Sequence, residues 1–269
     1  MRGRIVHLSA NRRLIVDAMR ISARVPVASA LRRMELGTVA AARTRCAGRP
    51  SWVAVFVKAF ALIADELPEL RRTYMSFPWP HLYEYPENAA LIMIERRYRG
   101  ENVVFPFRIR NPAWLPLVQL SEVIRKAKTT PIEDVADFMR VLRIGALPSP
   151  LRRLLWWTAH GFARLRANYF GTFVVSVYSS WGVEPLFGLP PCTVLLTYGV
   201  VAPDGAVDVR VIWDHRVLDG AVMARALRRL EQVLRSDITQ ELLSSQPPTT
   251  DPTLYLPRTD REPQVRKYP

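Results

Sequence analysis

The chain has 269 residues, of which 49% are hydrophobic and 23% charged, so its composition excludes an intrinsically disordered or fibrous protein. An excess of 38 Lys and Arg over 24 Asp and Glu gives a formal net charge of +14, which favours anionic partners such as nucleic acid, anionic lipid or a phosphate-rich cofactor. Cys46 and Cys192 lie far apart and in no CxxC pattern, so we expect neither a disulfide framework nor a metal site.

The two ends of the chain and its apolar segments indicate where the protein resides. The N-terminus lacks the apolar stretch of a signal peptide, and Val53–Ala64 is too short to span a bilayer. We therefore expect a cytoplasmic protein. Residues 1–245 have no internal boundary and predict one domain, whereas residues 246–269 are rich in Pro, Thr and charge and predict an extended or disordered tail.

The first part of the chain predicts helices separated by one strand. Leu14 and Ile15 begin an apolar face with helical spacing, and Ser9 or Asn11 can cap the start of that helix. A strand is predicted over Val25–Leu36. The helices predicted in this part are Asn11–Ile21, Thr38–Cys46 and the strongly apolar Trp52–Leu67.

The second part predicts a hairpin, two helices, and a final sheet followed by a helix. Strands over Ala89–Tyr98 and Asn102–Ile109 flank the turn Arg99-Gly100-Glu101. Further helices are predicted over Pro116–Lys128 and Ile132–Leu142, further strands over Thr172–Tyr178, Thr193–Val201 and Val207–Trp213, and a last helix over Ala221–Arg235.

The segment Gly145–Asn168 combines paired prolines, Trp156, Trp157 and several arginines. One interpretation is a packed helical insertion with a solvated basic face. The other is an interfacial element that contacts anionic lipid or a long acyl chain, and that allows peripheral contact with a membrane. No helix-turn-helix, zinc finger or RNA-binding signature occurs, so we expect no nucleic acid partner.

The stretch Asp214-His215-Arg216-Val217-Leu218-Asp219-Gly220 lies between a predicted strand and a predicted helix. His215 there can serve as a general base, since neutral imidazole accepts a proton near pH 7. Asp219 can hold the turn by an ion pair or hydrogen bonds, and Gly220 permits backbone angles that a side chain would forbid. A histidine held in a turn without function is the alternative. We expect the flanking Asp214 and Arg216 to pair with each other rather than to bind substrate.

Further motifs precede this stretch in a fixed order, and together they resemble a known family. They are Asn11–Ile15 (an Arg-Arg-x-Ile helix), the apolar helix ending in Leu67-Pro68-Glu69-Leu70, the strand Val103–Arg108, the strand Gly171–Ser176 (similar to GTFTIS) and the strand in Pro190–Gly199. With DHRVLDG near the end, they resemble the catalytic domain of the dihydrolipoamide acyltransferases of 2-oxo acid dehydrogenase complexes. The resemblance covers roughly residues 5–243 and implies the chloramphenicol acetyltransferase-like fold, a two-layer α/β sandwich of a mixed sheet with helices.

The resemblance implies a role for each matching residue. His215 is expected to be the general base that deprotonates a thiol, hydroxyl or amine, which then attacks an acyl thioester. Ser176 is expected to donate a hydrogen bond to the tetrahedral oxyanion. Asp219 is expected to orient the site through an ion pair with Arg12, or with Arg13 as the alternative. The resemblance also implies a homotrimer or larger homo-oligomer, with His215 and Ser176 of one site on different chains.

The chain also departs from the family pattern, which leaves three functions open. The matching region begins within about the first ten residues, so we expect no lipoyl domain before it, and Val177–Gly182 replaces the family's SNLG. We expect an acyltransferase whose donor is coenzyme A or a carrier protein. Acyl-CoA would be a substrate, with no bound cofactor and no metal. The alternatives are a lipoamide acyltransferase served by a separate lipoyl protein, and a non-catalytic oligomeric or membrane-associated scaffold.

Overall fold

The computed structural model describes residues 3–5, 7–178, 182–183 and 192–245. The tail predicted over residues 246–269 lies outside the described residues. The described helices are α1 (Ala10–Ser22), α2 (Gly37–Arg45), α3 (Trp52–Glu66), α4 (Leu117–Thr129), α5 (Ala136–Ala146), α6 (Ser149–Gly161), α7 (Ala163–Phe170), α8 (Gly220–Val233) and α9 (Thr239–Ser244). The described strands are β1 (Val27–Glu35), β2 (Arg72–Met75), β3 (His81–Glu84), β4 (Ala89–Tyr98), β5 (Glu101–Arg110), β6 (Phe173–Val175), β7 (Val194–Tyr198) and β8 (Ala206–Asp214).

A mixed six-stranded sheet forms the centre of the fold, in the order β1-β8-β7-β6-β4-β5. Strand β6 runs parallel to both of its neighbours, β4 and β7, and the other pairs are antiparallel. Helices pack against this sheet, with α8 on β1, α4 on β4 and α5 on β5. The predicted α/β sandwich is therefore confirmed.

Helix α3 forms the middle of the core, as its continuous apolar sequence predicts. The helix starts where the Ser51 side chain accepts a hydrogen bond from the Ala54 amide. Phe60 is 1% exposed and its ring centre lies 4.7 Å from that of Phe173 in β6. Phe56 stacks on Tyr198 of β7 at 4.1 Å. These ring contacts join the helix layer to β6 and β7.

The predicted β4–β5 hairpin is present, with a tighter turn than expected. Tyr98 pairs with Glu101, so Arg99 and Gly100 alone form the loop. Their φ angles are +48° and +85°. Positive φ at both central positions defines a type I′ turn, whose twist matches that of the flanking strands. The three-residue loop predicted from the sequence was one residue too long.

Several element predictions were incomplete. The helix predicted from Ile132 starts as a 3₁₀ turn, Ile132–Asp134, and α5 begins only at Ala136. The strand predicted over Thr172–Tyr178 is limited to β6. The two-stranded sheet β2–β3 was missed, as were the π-helical turn Leu234–Ile238 and α9 that follow α8.

The segment rich in Trp and Arg is helical and attaches to α1 and to the region of the two-stranded sheet through polar contacts. Arg152 of α6 donates to Asp17 of α1 at 2.8 Å, and both side chains are about 95% enclosed at 5% and 6% exposure. Arg166 of α7 donates to the Tyr74 carbonyl of β2 at 3.0 Å. Tyr85, which follows β3, donates to the Ala163 carbonyl. None of the described helices is long and apolar enough to cross a membrane.

Candidate active site

The turn that carries His215 is fixed by the end of β8. The His215 amide donates to the Pro26 carbonyl at 2.9 Å, which continues the β1–β8 pairing by one residue. The Leu218 amide then turns back to the Asp214 carbonyl at 3.2 Å. Leu218 is 2% exposed, and its carbonyl accepts from the Trp213 indole at 2.8 Å. The buried leucine and tryptophan therefore hold the backbone, and His215 is left to project outward.

His215 and Asp219 lie side by side, as the four-residue spacing predicts. The His215 side chain is 50% exposed, and its Nδ1 lies 3.8 Å from Asp219 Oδ1. This distance exceeds that of a hydrogen bond, so the carboxylate acts on the imidazole as a nearby charge. Asp219 precedes α8 as its N-cap residue, yet its side chain makes no capping bond and is 83% exposed. Within one chain, both groups are therefore accessible.

Asp214 and Arg216 pair structurally, as expected. Asp214 is 1% exposed and accepts from Arg216 Nε at 2.9 Å and from its terminal nitrogen at 2.7 Å. The Arg216 guanidinium also lies 4.3 Å from the centre of the Tyr74 ring. A bidentate pair beneath a cation–π contact fixes the backbone on both sides of His215.

The expected ion pair between the first helix and Asp219 is not formed within one chain. Among the described residues, the only Lys, Arg or His side-chain nitrogen within 4 Å of the Asp219 carboxylate is Nδ1 of His215. Helix α1 buries the face that contains Leu14 and Asp17, and Arg12 lies exposed outside that face. Arg13 has no ion pair to Asp219 either, so the first helix is fixed by Asp17 instead of by either arginine.

The role predicted for Gly220 was also wrong. Gly220 is the first residue of α8 and its φ is not positive. A Cβ added there would meet no atom within 4 Å. The glycine that the backbone does require precedes β6: Gly171 has a φ of +70°, and a Cβ there would lie 2.5 Å from the Ala89 carbonyl oxygen.

Ser176 follows β6 directly and is half-buried. Its amide donates to the Leu196 carbonyl at 3.2 Å. Its hydroxyl makes no hydrogen bond to the described residues, so within one chain it is available to a ligand. The neighbouring residues 179–181 and 184–191 lie outside the described residues.

The sheet register shows how far Ser176 lies from His215. The Asp214 amide donates to the carbonyl of Thr193, the residue just before β7. His215 is therefore level with Cys192, the residue before Thr193. Ser176 follows the Val175–Leu196 pair and is level with Thr197, five residues farther along β7. At about 3.3 Å per residue, the two side chains are about 16 Å apart along the strand direction. Two groups that act on one carbonyl must each reach it at about 3 Å, so one chain cannot bring them together.

The sequence did not predict a concave region that lies beside the turn with His215. It is a cavity of about 640 Å³ between the end of α1, the segment that follows β2, and α6; we call it the α6 cavity. Arg216 and His160 both line it. His160 has no acidic residue near it in the sequence and carried no functional signal there. Burial is the larger cause, and the nearby Arg166 cation the smaller, that lowers the pKa of His160 to about 3. The imidazole ring is therefore neutral near pH 7.

The described residues contain no group of three or more His, Cys, Asp or Glu side chains that could hold a metal ion. Cys46 and Cys192 are both buried and unbridged. Burial raises the pKa of the Cys192 thiol to about 12, so this cysteine is protonated at neutral pH. Among the described residues considered above, the groups that are placed to act chemically are His215 with Asp219 at one end of the sheet and the Ser176 hydroxyl at the other.

Comparison with known proteins places this geometry on a known fold. A probable dihydrolipoamide acetyltransferase from Listeria monocytogenes superposes with a TM-score of 0.63 at 16% identity, over 91% of this chain and 98% of the other. The dihydrolipoamide acetyltransferase of Azotobacter vinelandii gives a TM-score of 0.63 at 17% identity, over 90% and 95%. Chloramphenicol acetyltransferase gives 0.51 at 16% identity, over 81% and 94%.

The chain has the dihydrolipoamide acetyltransferase fold. No sequence profile of a known family matches it. No curated protein matches it in sequence either. At such low identity the likeness concerns the fold, and the chemistry must be argued from the residues of this chain.

Proposed function

We propose that the protein transfers an acyl group from a thioester, on coenzyme A or a carrier protein, to a thiol, hydroxyl or amine acceptor. The observation that carries this proposal is the placement of His215, exposed and beside Asp219, at the end of β8 on this fold. A serine, a histidine and an asparagine have a role in the catalytic mechanism of the Azotobacter vinelandii enzyme, and its histidine and asparagine are four residues apart. His215 and Asp219 have the same spacing.

The proposed reaction needs one base and one hydrogen-bond donor. His215 takes the proton from the acceptor, and the acceptor's heteroatom bonds to the thioester carbonyl carbon. The Ser176 hydroxyl donates to the oxyanion of the tetrahedral intermediate. The carbon–sulfur bond then breaks, and the proton on His215 passes to the leaving thiolate. A thioester is already activated toward attack, so the reaction needs neither a covalent enzyme intermediate nor a redox partner.

We further propose that the working unit is a homotrimer or a larger homo-oligomer. His215 and Ser176 are about 16 Å apart along the strands of one chain, so a shared site needs Ser176 of a neighbouring copy. In this arrangement Asp219, which is 83% exposed in one chain, would lie close to the neighbouring copy. Arg12, exposed on α1, is a candidate for pairing with it across that contact.

The test of activity is thiol release from a panel of acyl-CoAs, with and without acceptors that include free dihydrolipoamide. We expect His215→Ala to lower the rate about 10²- to 10⁴-fold. His81→Ala is the matched control, since His81 lies in β3 and its Nδ1 contacts only the nearby Trp79 carbonyl. Unchanged transfer by His215→Ala would overturn the proposal. Transfer to dihydrolipoamide would identify the acceptor as lipoamide.

Mixing two inactive variants tests whether chains share the site. His215→Ala retains Ser176, and Ser176→Ala retains His215. If the two are unfolded and refolded together, about a quarter of the interfaces in a random trimer would combine an intact histidine with an intact serine. Recovery of about a quarter of wild-type activity supports the shared site. No recovery in oligomers shown to be mixed would contradict it.

A further inference from the structure

The α6 cavity is lined by a strong excess of positive charge. Five arginines and one carboxylate line it: Arg20, Arg24, Arg153, Arg166, Arg216 and Asp17. The carboxylate balances at most one of these charges, because Asp17 is shared between Arg20 at 3.8 Å and Arg152, which lies outside the lining, at 2.8 Å. Arg216 is paired with Asp214. Arg24 and Arg153 are exposed, and their side chains form neither an ion pair nor a hydrogen bond with the described residues.

The wall beside these arginines is made of aromatic rings. Trp156, Trp157, Tyr74 and Phe77 all line the cavity, and Trp156 stacks on His160 at 5.5 Å. The indole nitrogen of Trp156 and Nε2 of His160 are enclosed, with no hydrogen-bond partner among the described residues. The surface that the Trp156 and His160 rings present to the cavity is therefore made of carbon atoms. The Trp157 ring is 61% exposed and completes the wall toward solvent.

We infer that the α6 cavity binds an organic anion, with a hydrocarbon or aromatic body against Trp156 and Trp157 and one carboxylate, sulfonate or phosphate facing Arg24 and Arg153. A volume of about 640 Å³ suits a small molecule, and ligand sites of that size combine an apolar wall with few polar groups. Guanidinium groups suit the oxygens of such a head. The site goes beyond the proposed function, since binding requires no acyl transfer. Arg216 follows His215, so the ligand would lie beside the catalytic turn.

Two fluorescent probes that differ in charge test this inference directly. The first is 8-anilino-1-naphthalenesulfonate, and the second is N-phenyl-1-naphthylamine, which has the same rings without the sulfonate. We expect Arg24→Gln and Arg153→Gln each to weaken binding of the sulfonate about five- to tenfold, because a charge-assisted contact is lost. Both variants should change binding of the neutral probe less than twofold. Trp157→Ala should weaken both probes.

Control variants separate the cavity from the exposed surface of α6. Arg97→Gln removes an exposed arginine of β4 that forms no ion pair with the described residues, and it should leave both probes unaffected. Leu154→Gln changes the outer face of α6, where Leu154 is 54% exposed and does not line the cavity. Probe binding that is lost in Leu154→Gln and retained in Arg24→Gln and Arg153→Gln would overturn the inference. Thermal melting checks that each variant is folded.

The anionic head could belong to a free metabolite or to a lipid, and a further arm separates these sources. Vesicles of phosphatidylcholine with phosphatidylglycerol are added to the protein with the sulfonate bound. We expect the sulfonate to remain bound, as a soluble ligand in a cavity should. Its displacement by anionic vesicles and not by pure phosphatidylcholine would assign the arginines to a membrane surface and overturn the cavity site. His215→Ala should bind the sulfonate normally, so the result does not depend on catalysis.

Discussion

Helices α3 and α6 are of similar length, and they are held in the molecule by different forces. Ten of the 15 residues of α3 are buried, and their side chains are apolar except for Lys58. In α6 only Arg152 and Ala159 of 13 residues are buried. Apolar burial is distributed over many contacts, so α3 tolerates the loss of one of them. Helix α6 packs on α7, where Trp156 stacks on Phe170 at 5.2 Å, and it contributes one buried ion pair, Arg152 with Asp17.

This difference separates the part of the molecule that maintains the fold from the part that can select a ligand. The central sheet, with α3 packed against it, positions His215 and Ser176. Its strands are held together by backbone pairing, which does not depend on the side chains of α6. Helix α6 contributes the wall of the α6 cavity, and its exposed outer face can change at little cost to the core. Variants in each part can test whether the two parts are as independent as their packing indicates.

The largest change in stability is expected at the buried ion pair of α6. Arg152→Ala leaves the buried Asp17 carboxylate with only its longer, 3.8 Å contact to the exposed Arg20, and we expect a loss of about 3–5 kcal/mol in the free energy of unfolding. The measurement is urea denaturation. Arg153→Ala is the matched control, because its side chain is exposed and unpaired among the described residues, and it should change stability by less than about 0.5 kcal/mol. Equal effects of the two variants would show that the ion pair does not hold α6.

The next largest effect is expected on catalysis, with no change in stability. Ser176→Ala removes the proposed oxyanion donor and should lower kcat about 10²- to 10³-fold. The hydroxyl makes no hydrogen bond to the described residues, so urea denaturation should give the wild-type free energy. Ser29→Ala, at an exposed position of β1, is the control for both measurements. A variant that loses stability and activity together would assign Ser176 a structural role.

The elements predicted well from the sequence are those whose own side chains determine them. Helix α3 has a continuous apolar sequence and a serine cap, and the β4–β5 hairpin has a glycine in its turn. Strands β2 and β3 have four residues each and were missed. Such short strands exist through pairing with each other and through contacts such as the Thr193 hydroxyl to the Arg72 carbonyl at 2.6 Å. The local periodicity of a sequence does not reveal a contact with a residue 121 positions away.

The candidate site follows the same rule. The proximity of His215 and Asp219 was predicted because both belong to one turn, and so was the pairing of Asp214 with Arg216. The ion pair of Arg12 with Asp219 was not found in one chain, because the rotation of α1 is set by a partner 135 positions away, Arg152. The α6 cavity was missed for the same reason.

A smaller effect is expected from the pH dependence of stability. The pKa of His160 is lowered from 6.5 to about 3 by burial, so between these values the unfolded chain takes up a proton that the folded chain does not. Stability from this group is complete above pH 6.5 and falls as the pH is lowered. Between pH 7.5 and 5.5 we expect a loss of about 1 kcal/mol in the free energy of unfolding.

The variant His160→Phe tests this, because it keeps an aromatic ring against Trp156 and removes the titration. Its free energy of unfolding should decline less than that of wild type over the same pH range. The exposed His7 provides the control, His7→Gln, which should retain the wild-type slope. Identical slopes in wild type and His160→Phe would show that the imidazole takes up its proton over the same pH range in the folded and unfolded chains.

The smallest effect is expected on the outer face of α6. Leu154 is 54% exposed in one chain, so Leu154→Ser should change the free energy of unfolding by less than about 0.5 kcal/mol. Leu230→Ser in α8, where the leucine is 0% exposed, is the matched change in the apolar layer and should cost several times more. The ratio between the two losses measures the contrast between the regions directly. A loss at Leu154 that approaches the loss at Leu230, and that grows with protein concentration, would show that a second copy covers α6 in solution. In that case the aromatic wall of the α6 cavity would belong to an interface between chains, and α6 could not vary independently of the site.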